Sequence, residues 1–226
     1  MIPYFIFKGI DSKDYMIVNK LPSIIKAEAD IDKIEVEGRN GFLTIDKGTH
    51  KGYVKQIECT IRNLDNVDFI CSWLEGSGDI IFSNELDKIY KATIINQIEF
   101  KKVAVTFHRF IINFEVQPHK YLISNDLITL TSPGAIYNPG SANSKPLIKV
   151  YGTGSITLNI NSNIINLTNV SGYVTIDSEL MDAYKDTLLK NTDTNGEFPV
   201  FKVGNNTISW TGAVSKLEII PNWRWI

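Results

Sequence analysis

The sequence is poor in the residues that most often announce chemistry. Its 226 residues include two cysteines, Cys59 and Cys71, and three histidines, His50, His108 and His119. Two thiols do not make the disulfide framework of a small secreted scaffold, and they fall short of the four clustered ligands of a structural zinc site. Both lie in apolar stretches and are expected to be buried, reduced thiols. No histidine is followed by another at i+4, so there is no zinc-binding H-E-x-x-H helix. Neither sign of charge dominates: 23 Lys and Arg face 25 Asp and Glu, a formal net charge of −2. That excludes a strongly basic nucleic-acid binder and a polybasic membrane anchor. No apolar run approaches the roughly 18–20 residues that span a bilayer. The apolar run within Met1–Gly9 lacks a basic leader and is too short for a signal peptide, so export by the usual route is not expected.

What is present is enough for a core. Hydrophobic residues make up 43% of the chain and aromatic ones 11%, which excludes wholesale disorder. Composition then shifts partway along. Residues 1–120 hold 16 Lys and Arg and 17 Asp and Glu, whereas residues 121–226 hold only 7 and 8, with 13 Asn among many Ser, Thr and Gly. Uncharged polar and β-branched sequence suits strands and turns. The shift places a boundary near Tyr121–Asn125, and with no long linker it predicts two abutting domains, 1–121 and 122–226.

Most segments read as strands. Residues 31–37 alternate with period 2, and Glu35 and Glu37 mark the wet face of a half-buried strand. Phe42–Ile45 and Tyr53–Ile61 flank the Gly-punctuated loop Asp46–Gly52 and read as a hairpin. Ala92–Phe100 and Val103–Phe114 suggest a second antiparallel pair. Further on, Leu147–Val150, Ser155–Ile160, Ile164–Leu167, Tyr173–Ile176, Thr207–Trp210 and Lys216–Ile220 are short strands between turn residues, the spacing of a β-sandwich. Two helices are expected. Val67, Ile70, Cys71 and Leu74 fall at i, i+3, i+4 and i+7, with Asp65 as N-cap and Gly76 as stop. Ser178–Lys185 reads as a shorter helix capped by Ser178.

The search for an active site finds only patterns with simpler readings. Asp30/Asp32, Glu35/Glu37 and Asp177/Glu179 each place two carboxylates on one strand face, the arrangement acid–base catalysis needs, but solvated strand faces produce the same spacing. Apolar residues around Asp30 and Asp32 also occupy positions that a calcium loop gives to ligands. Ser23-Ile24-Ile25-Lys26 matches S-x-x-K without its companion motifs, and no G-x-S-x-G elbow occurs. Gly152-Thr153-Gly154-Ser155 lacks the third Gly of a dinucleotide fingerprint and the Lys of a P-loop, and reads as a turn. Lys101-Lys102 and Phe107-His108-Arg109-Phe110 interleave basic and aromatic residues, as single-strand binders do, within an otherwise plain strand pattern. Asn166, Asn169 and Asn205 head glycosylation sequons that matter only in a secreted protein. No catalytic, cofactor-binding or metal-binding residue is assigned, no cofactor is expected, and the protein is read as no enzyme.

Taken in order, the segments resemble the distal tail (Dit) proteins of bacteriophages with long non-contractile tails. Glu37-Gly38-Arg39-Asn40-Gly41-Phe42-Leu43, Trp73-Leu74-Glu75-Gly76-Ser77-Gly78 and Phe114-Glu115-Val116-Gln117-Pro118-His119-Lys120-Tyr121 resemble that family's N-terminal domain. Asn138-Pro139-Gly140, the run Pro146–Gly154, Thr175–Met181, Phe198-Pro199, the run Gly204–Gly212 and Pro221-Asn222-Trp223-Arg224 resemble its C-terminal domain. Asn40 stands where relatives often carry Asp, and no aromatic residue follows Pro118.

The resemblance implies a mainly β protein: a β-sandwich-like N-terminal ring domain with a hairpin and one α-helix, and a C-terminal galectin-like β-sandwich. It implies a homohexameric ring, a tail-tip hub between the tail tube protein and the host-recognition apparatus, with a central channel for DNA. Its partners would be further copies of itself, the tube protein, a tail-associated hub protein and the tape measure protein, with no sequence-specific nucleic acid and no membrane insertion. Synthesis would take place in the host cytoplasm. A second domain of about 100 residues leaves no room for a long arm that docks receptor-binding proteins. A closed ring needs two different complementary patches per subunit, and the helix Asp65–Leu74 and the hairpin Phe42–Ile61 are the candidates. The alternative is a carbohydrate-binding module that contacts the host cell wall through the second sandwich, with Tyr173, Trp210, Trp223 and Trp225 as stacking faces.

Overall fold

The computed structural model describes residues 2–226; Met1, which opens the segment read for a leader, lies outside the described residues. Two compact units divide the chain, the first running to Lys120 and the second spanning Tyr121–Trp225. No helix among the described residues is long and apolar enough to cross a membrane.

The first unit contains β1 (Phe5–Phe7), β2 (Ile10–Asp11), β3 (Ile17–Lys20), β4 (Ala29–Glu35), β5 (Phe42–His50), β6 (Tyr53–Ile61), α1 (Val67–Trp73), β7 (Ser77–Phe82), β8 (Lys88–Ile94), β9 (Lys101–Lys102) and β10 (His108–Leu122), whose last two residues belong to the second unit. One sheet runs β2-β1-β7-β8-β10-β6-β3, with β9 added beside β10. It curls over its own inner face, because Phe5 and Phe7 on β1 meet Phe114 on β10 edge to face, at ring separations of 5.7 and 5.3 Å. Such pairs add to the large apolar area each ring buries. Helix α1 is pinned to this core by Trp73, whose indole stacks on Phe5 and donates to the Phe7 carbonyl at 2.9 Å.

The second unit contains β11 (Ile128–Leu130), β12 (Gly134–Asn138), β13 (Leu147–Ile160), β14 (Asn163–Asp177), β15 (Asp182–Lys185), β16 (Leu188–Leu189), β17 (Thr194–Gly196), β18 (Gly204–Ile220) and β19 (Arg224–Trp225). The main sheet runs β11-β18-β13-β14-β15-β16. The six short strands expected here are three long ones, each bent at its middle. Register shifts at Gly154/Ile156 and Thr153/Thr157 mark the bend in β13. Gly152 and Gly212 permit it: a Cβ on the first would run into the Ala213 carbonyl, and one on the second into the Ser155 carbonyl. The bent strands bury Ile148 and Val150 from one half of β13 with Leu158 and Ile160 from the other, in a single core.

Four local expectations need correction. Ser178–Lys185 is no helix. The Asp177 Oδ1 accepts the Glu179 and Leu180 N–H groups, which closes a turn; Met181 then takes a left-handed φ of 57°, and Asp182–Lys185 pairs with β14. Phe42–Ile61 is no hairpin either. β5 pairs back with β4 through the turn at residues 36–41, where Gly38 and Gly41 have positive φ, while β6 pairs with β10 and β3. Residues 103–107 form the turn between β9 and β10 rather than strand. Finally, Asn66 rather than Asp65 stands at the N-cap position of α1, with no side-chain capping bond, and the inward residues are Ile70, Trp73 and Leu74. This turns Cys71 outward while Cys59 is buried.

Candidate functional site

The part of the chain that its own fold leaves unfinished is the hairpin β4–β5. It forms a sheet of two strands with no third beside it among the described residues. Seven residues of β4 reach roughly 23 Å. Cross-strand partners share a face, so the pairs Ile34↔Leu43 and Asp32↔Ile45 place Ile34, Leu43 and Ile45 together. These are 44%, 42% and 51% exposed. The opposite face carries Lys33, Glu35, Thr44 and Phe42, the Lys33 ammonium lying 4.8 Å from the Phe42 ring centroid. The wet face expected at Glu35 and Glu37 is therefore two wet faces. An isolated two-stranded ribbon is marginal in water, and its outer edges offer unpaired backbone groups.

The base of the arm is fastened by polar groups. Lys47 pairs with Asp32 at 2.8 Å and Asp30 at 3.6 Å, so the carboxylate pair found in the sequence is an ion-pair clamp. That ammonium is accordingly raised above its ordinary pKa, chiefly by its hydrogen bond to Asp32. The strand-free residues 21–28 lead into the arm. The Lys55 ammonium donates to the Ser23 carbonyl at 3.0 Å and Asn84 donates to the Pro22 carbonyl at 3.2 Å. Lys55 is 1% exposed. Its ammonium lies 4.8 Å from the Tyr90 centroid and 5.1 Å from the Phe82 centroid. Burial pulls its pKa down to about 8, with Lys120 lowering it further and Glu85 opposing. Glu85 itself accepts from Lys120 and from the Tyr90 hydroxyl. Burial, with that hydrogen bond behind it, pushes the Tyr90 phenol well up. Nothing in the S-x-x-K spacing marks this arrangement, because Ser23 takes part through its carbonyl.

The other residues singled out in the sequence scatter. His50 and His119 rings lie 6.4 Å apart, and His108 opens β10 beside Lys102 of β9. Asp177 closes its turn, while Glu179 faces Lys145 at 3.7 Å and Arg224 at 3.9 Å. Gly152–Ser155 is the bend in β13. Trp223 is buried against Phe201, and Trp210 and Trp225 pack partly buried on the same core. Of the four proposed stacking residues, Tyr173 alone stands on the outer face, 5.8 Å from Tyr151.

No family model matches the sequence, and no curated protein matches it. Among solved structures, the Dit protein (gp 19.1) of phage SPP1, a paradigm of the hub adsorption apparatus in Gram-positive infecting phages, matches with a TM-score of 0.75. The identity is 14%, and the match covers 97% of this chain and 98% of that one. The chain has the Dit fold. That fold is mainly β, as the resemblance implied. At this identity the shared backbone, rather than any shared side chain, carries the likeness.

Proposed function

We propose that the protein is a hub at the tip of a long non-contractile phage tail, a hexameric ring that joins the tail tube to the host-recognition apparatus and leaves a central channel for DNA. The observation that carries this reading is a Dit fold matched along 97% of the chain. The arm supports it. A ring is a closed heterologous assembly, in which one patch of each copy meets a different patch of the next. Ile34, Leu43 and Ile45 supply one apolar patch on a ribbon with no partner of its own. The neighbouring copy is its occupant. The outer side of α1 and the turn before it, where Phe69 and Leu64 are exposed, is the candidate for the second patch. In this reading the protein is a virion component without catalysis, and its further partners are the tube, tail-associated and tape measure proteins.

Light scattering across a concentration series tests the reading. The expected species has six times the 25.5 kDa chain mass and shows a central hole by negative-stain microscopy. The double variant Ile34→Lys/Leu43→Lys should remain folded and lose that species. A wild-type chain that stays monomeric even when co-expressed with the adjoining tail proteins would end the hub reading.

A further inference from the structure

The outer face of the second unit carries an ordered row of cations on aromatic rings. Ile148 and Val150 point into the core, so Lys149 and Tyr151 point out. The registers Tyr151↔Tyr173, Tyr151↔Lys216 and Lys149↔Glu218 set their neighbours from β14 and β18 beside them. The Lys149 ammonium lies 3.9 Å from the centroid of Tyr173, and the Lys185 ammonium lies 5.4 Å from the same ring. Lys216 lies 4.5 Å from the Tyr151 centroid. Lys185 also donates to the Ser171 carbonyl at 2.6 Å.

The carboxylates nearby are already engaged. Glu218 takes Lys216 at 2.6 Å and the Tyr151 hydroxyl at 2.8 Å, and Asp186 accepts the Tyr173 hydroxyl. Lys149 and Lys185 share one ring, and neither forms an ion pair with a carboxylate among the described residues. Two like charges held together repel each other, and a bound anion removes that repulsion. Stems laid over rings have also lost part of the rotamer freedom that a flexible lysine gives up on binding.

We propose that this face binds an anionic polyol chain linked by phosphodiesters, with Lys149 and Lys185 on one phosphate and Lys216 beside the next. Phosphate suits ammonium groups, which act as point charges. A nucleic acid is the poorer fit because the ring faces are covered by ammonium groups and cannot stack bases. An acidic protein segment is also poorer, since the positions directly beside the rings are Lys149, Thr175 and Glu218, and the exposed Leu189, opposite Tyr184, lies two strands away from Tyr173. The site lies within one unit and does not depend on the hub reading: a monomer binds as a ring would.

The test is calorimetric titration of the full chain with synthetic poly(glycerol phosphate), at low and at physiological salt, with dextran as the uncharged control. Binding is expected to the first polymer only and to weaken with salt. Lys149→Gln/Lys185→Gln should weaken it by about tenfold and flatten its salt dependence by about one unit of slope per lysine engaged. Lys101→Gln/Lys102→Gln, an exposed pair in the other unit, should change nothing. Tyr173→Phe should keep the affinity, while Tyr173→Leu, which leaves every lysine in place, should lose it. Circular dichroism and solution mass establish that each variant is folded. The proposal fails if the folded wild type does not bind, if the Lys149/Lys185 variant binds as the wild type does, or if single-stranded DNA binds as tightly as the polyol.

Discussion

The ribbons β4–β5 and β13–β14 are both long antiparallel ladders built from alternating Ile-rich sequence, and they end in opposite situations. β13 lies between β14 and β18, and its inward residues Ile148, Val150, Leu158 and Ile160 are buried. β4 has β5 on one side and no strand among the described residues on the other, and Ile34 is 44% exposed. The pleat, the pairing and the composition are alike; the difference is the number of neighbours. Alternation states that a strand has a face to cover, and leaves open whether the cover comes from the same chain. In β13 it comes from the bend that folds the strand over itself. In the arm it has to come from outside.

The comparison breaks most visibly in the covered ribbon. Leu158→Ala should cost about 2–5 kcal/mol of unfolding free energy by urea titration, the range for a fully buried aliphatic residue that leaves a cavity. A cost below about 1 kcal/mol would mean that the folded-over strand is loosely packed. Gly212→Ala tests the bend. The new Cβ meets the Ser155 carbonyl at a residue whose φ is +97°, so no rotation relieves the contact. About 2–3 kcal/mol is expected from strain and overpacking together.

A smaller effect sharpens the other side of the comparison, at the root of the arm. The folded-state pKa of Lys55 is about 8, against an ordinary value of 10.5. Below pH 8 both folded and unfolded chains hold the proton, and the full cost of burying the charge is present. Between about pH 8 and 10.5 the unfolded chain holds more protons than the folded one, so this group adds stability as pH rises. Burial also raises the Cys59 and Tyr90 pKa values, and these groups act in the opposite direction at high pH. The measurement is therefore the difference between wild type and Lys55→Met, in which the other groups cancel. Wild type should gain on the variant through this window, with a slope of at most about 1.4 kcal/mol per pH unit. A flat difference would mean that Lys55 titrates as an exposed lysine, and the strap into the arm would lose its buried pin.

How far these features were legible depends on the distance over which each is determined. Most strand segments and the helix at Val67–Trp73 are written in local periodicity and are present, although residues 95–100 and 103–107 are not strand. The failures occur where a longer-range contact or one side chain prevails over the local pattern. Asp46-Lys47-Gly48 carries turn residues, yet the Asp46 carboxylate satisfies the Gly48 N–H locally and the strand runs on. Ser178–Lys185 has a cap and a helical spacing, and Asp177 captures the same N–H groups for a turn. Cys71 occupies an i+4 position in the expected apolar face, and Trp73 rotates the helix by taking that face for itself. The arm was half legible: its alternation is plain, but that both faces are wet follows only from the absence of a third strand. Lys55 was legible only in part. The alternation of Tyr53–Ile61 sets it on the face of Ile57, Cys59 and Ile61, but what holds its ammonium there, Phe82, Tyr90 and the Ser23 carbonyl, arrives from elsewhere in the sequence.

The smallest expected effect is the one that decides what the arm is for. Ile34→Ala on the dispersed chain should change unfolding free energy by no more than about 0.5 kcal/mol, because the side chain leaves one solvated site for another. The same truncation in an assembled ring would remove apolar area from an interface and should lower the melting temperature of the assembly, with a dependence on protein concentration. The contrast between the two states is the test, and the size of either value alone is not. An Ile34→Ala effect of 2 kcal/mol or more on the dispersed chain would show that the arm folds back onto its own unit in solution. Its exposed face would then be a resting surface rather than the meeting point of two copies, and the likeness in pattern between β4 and β13 would extend to how they are covered.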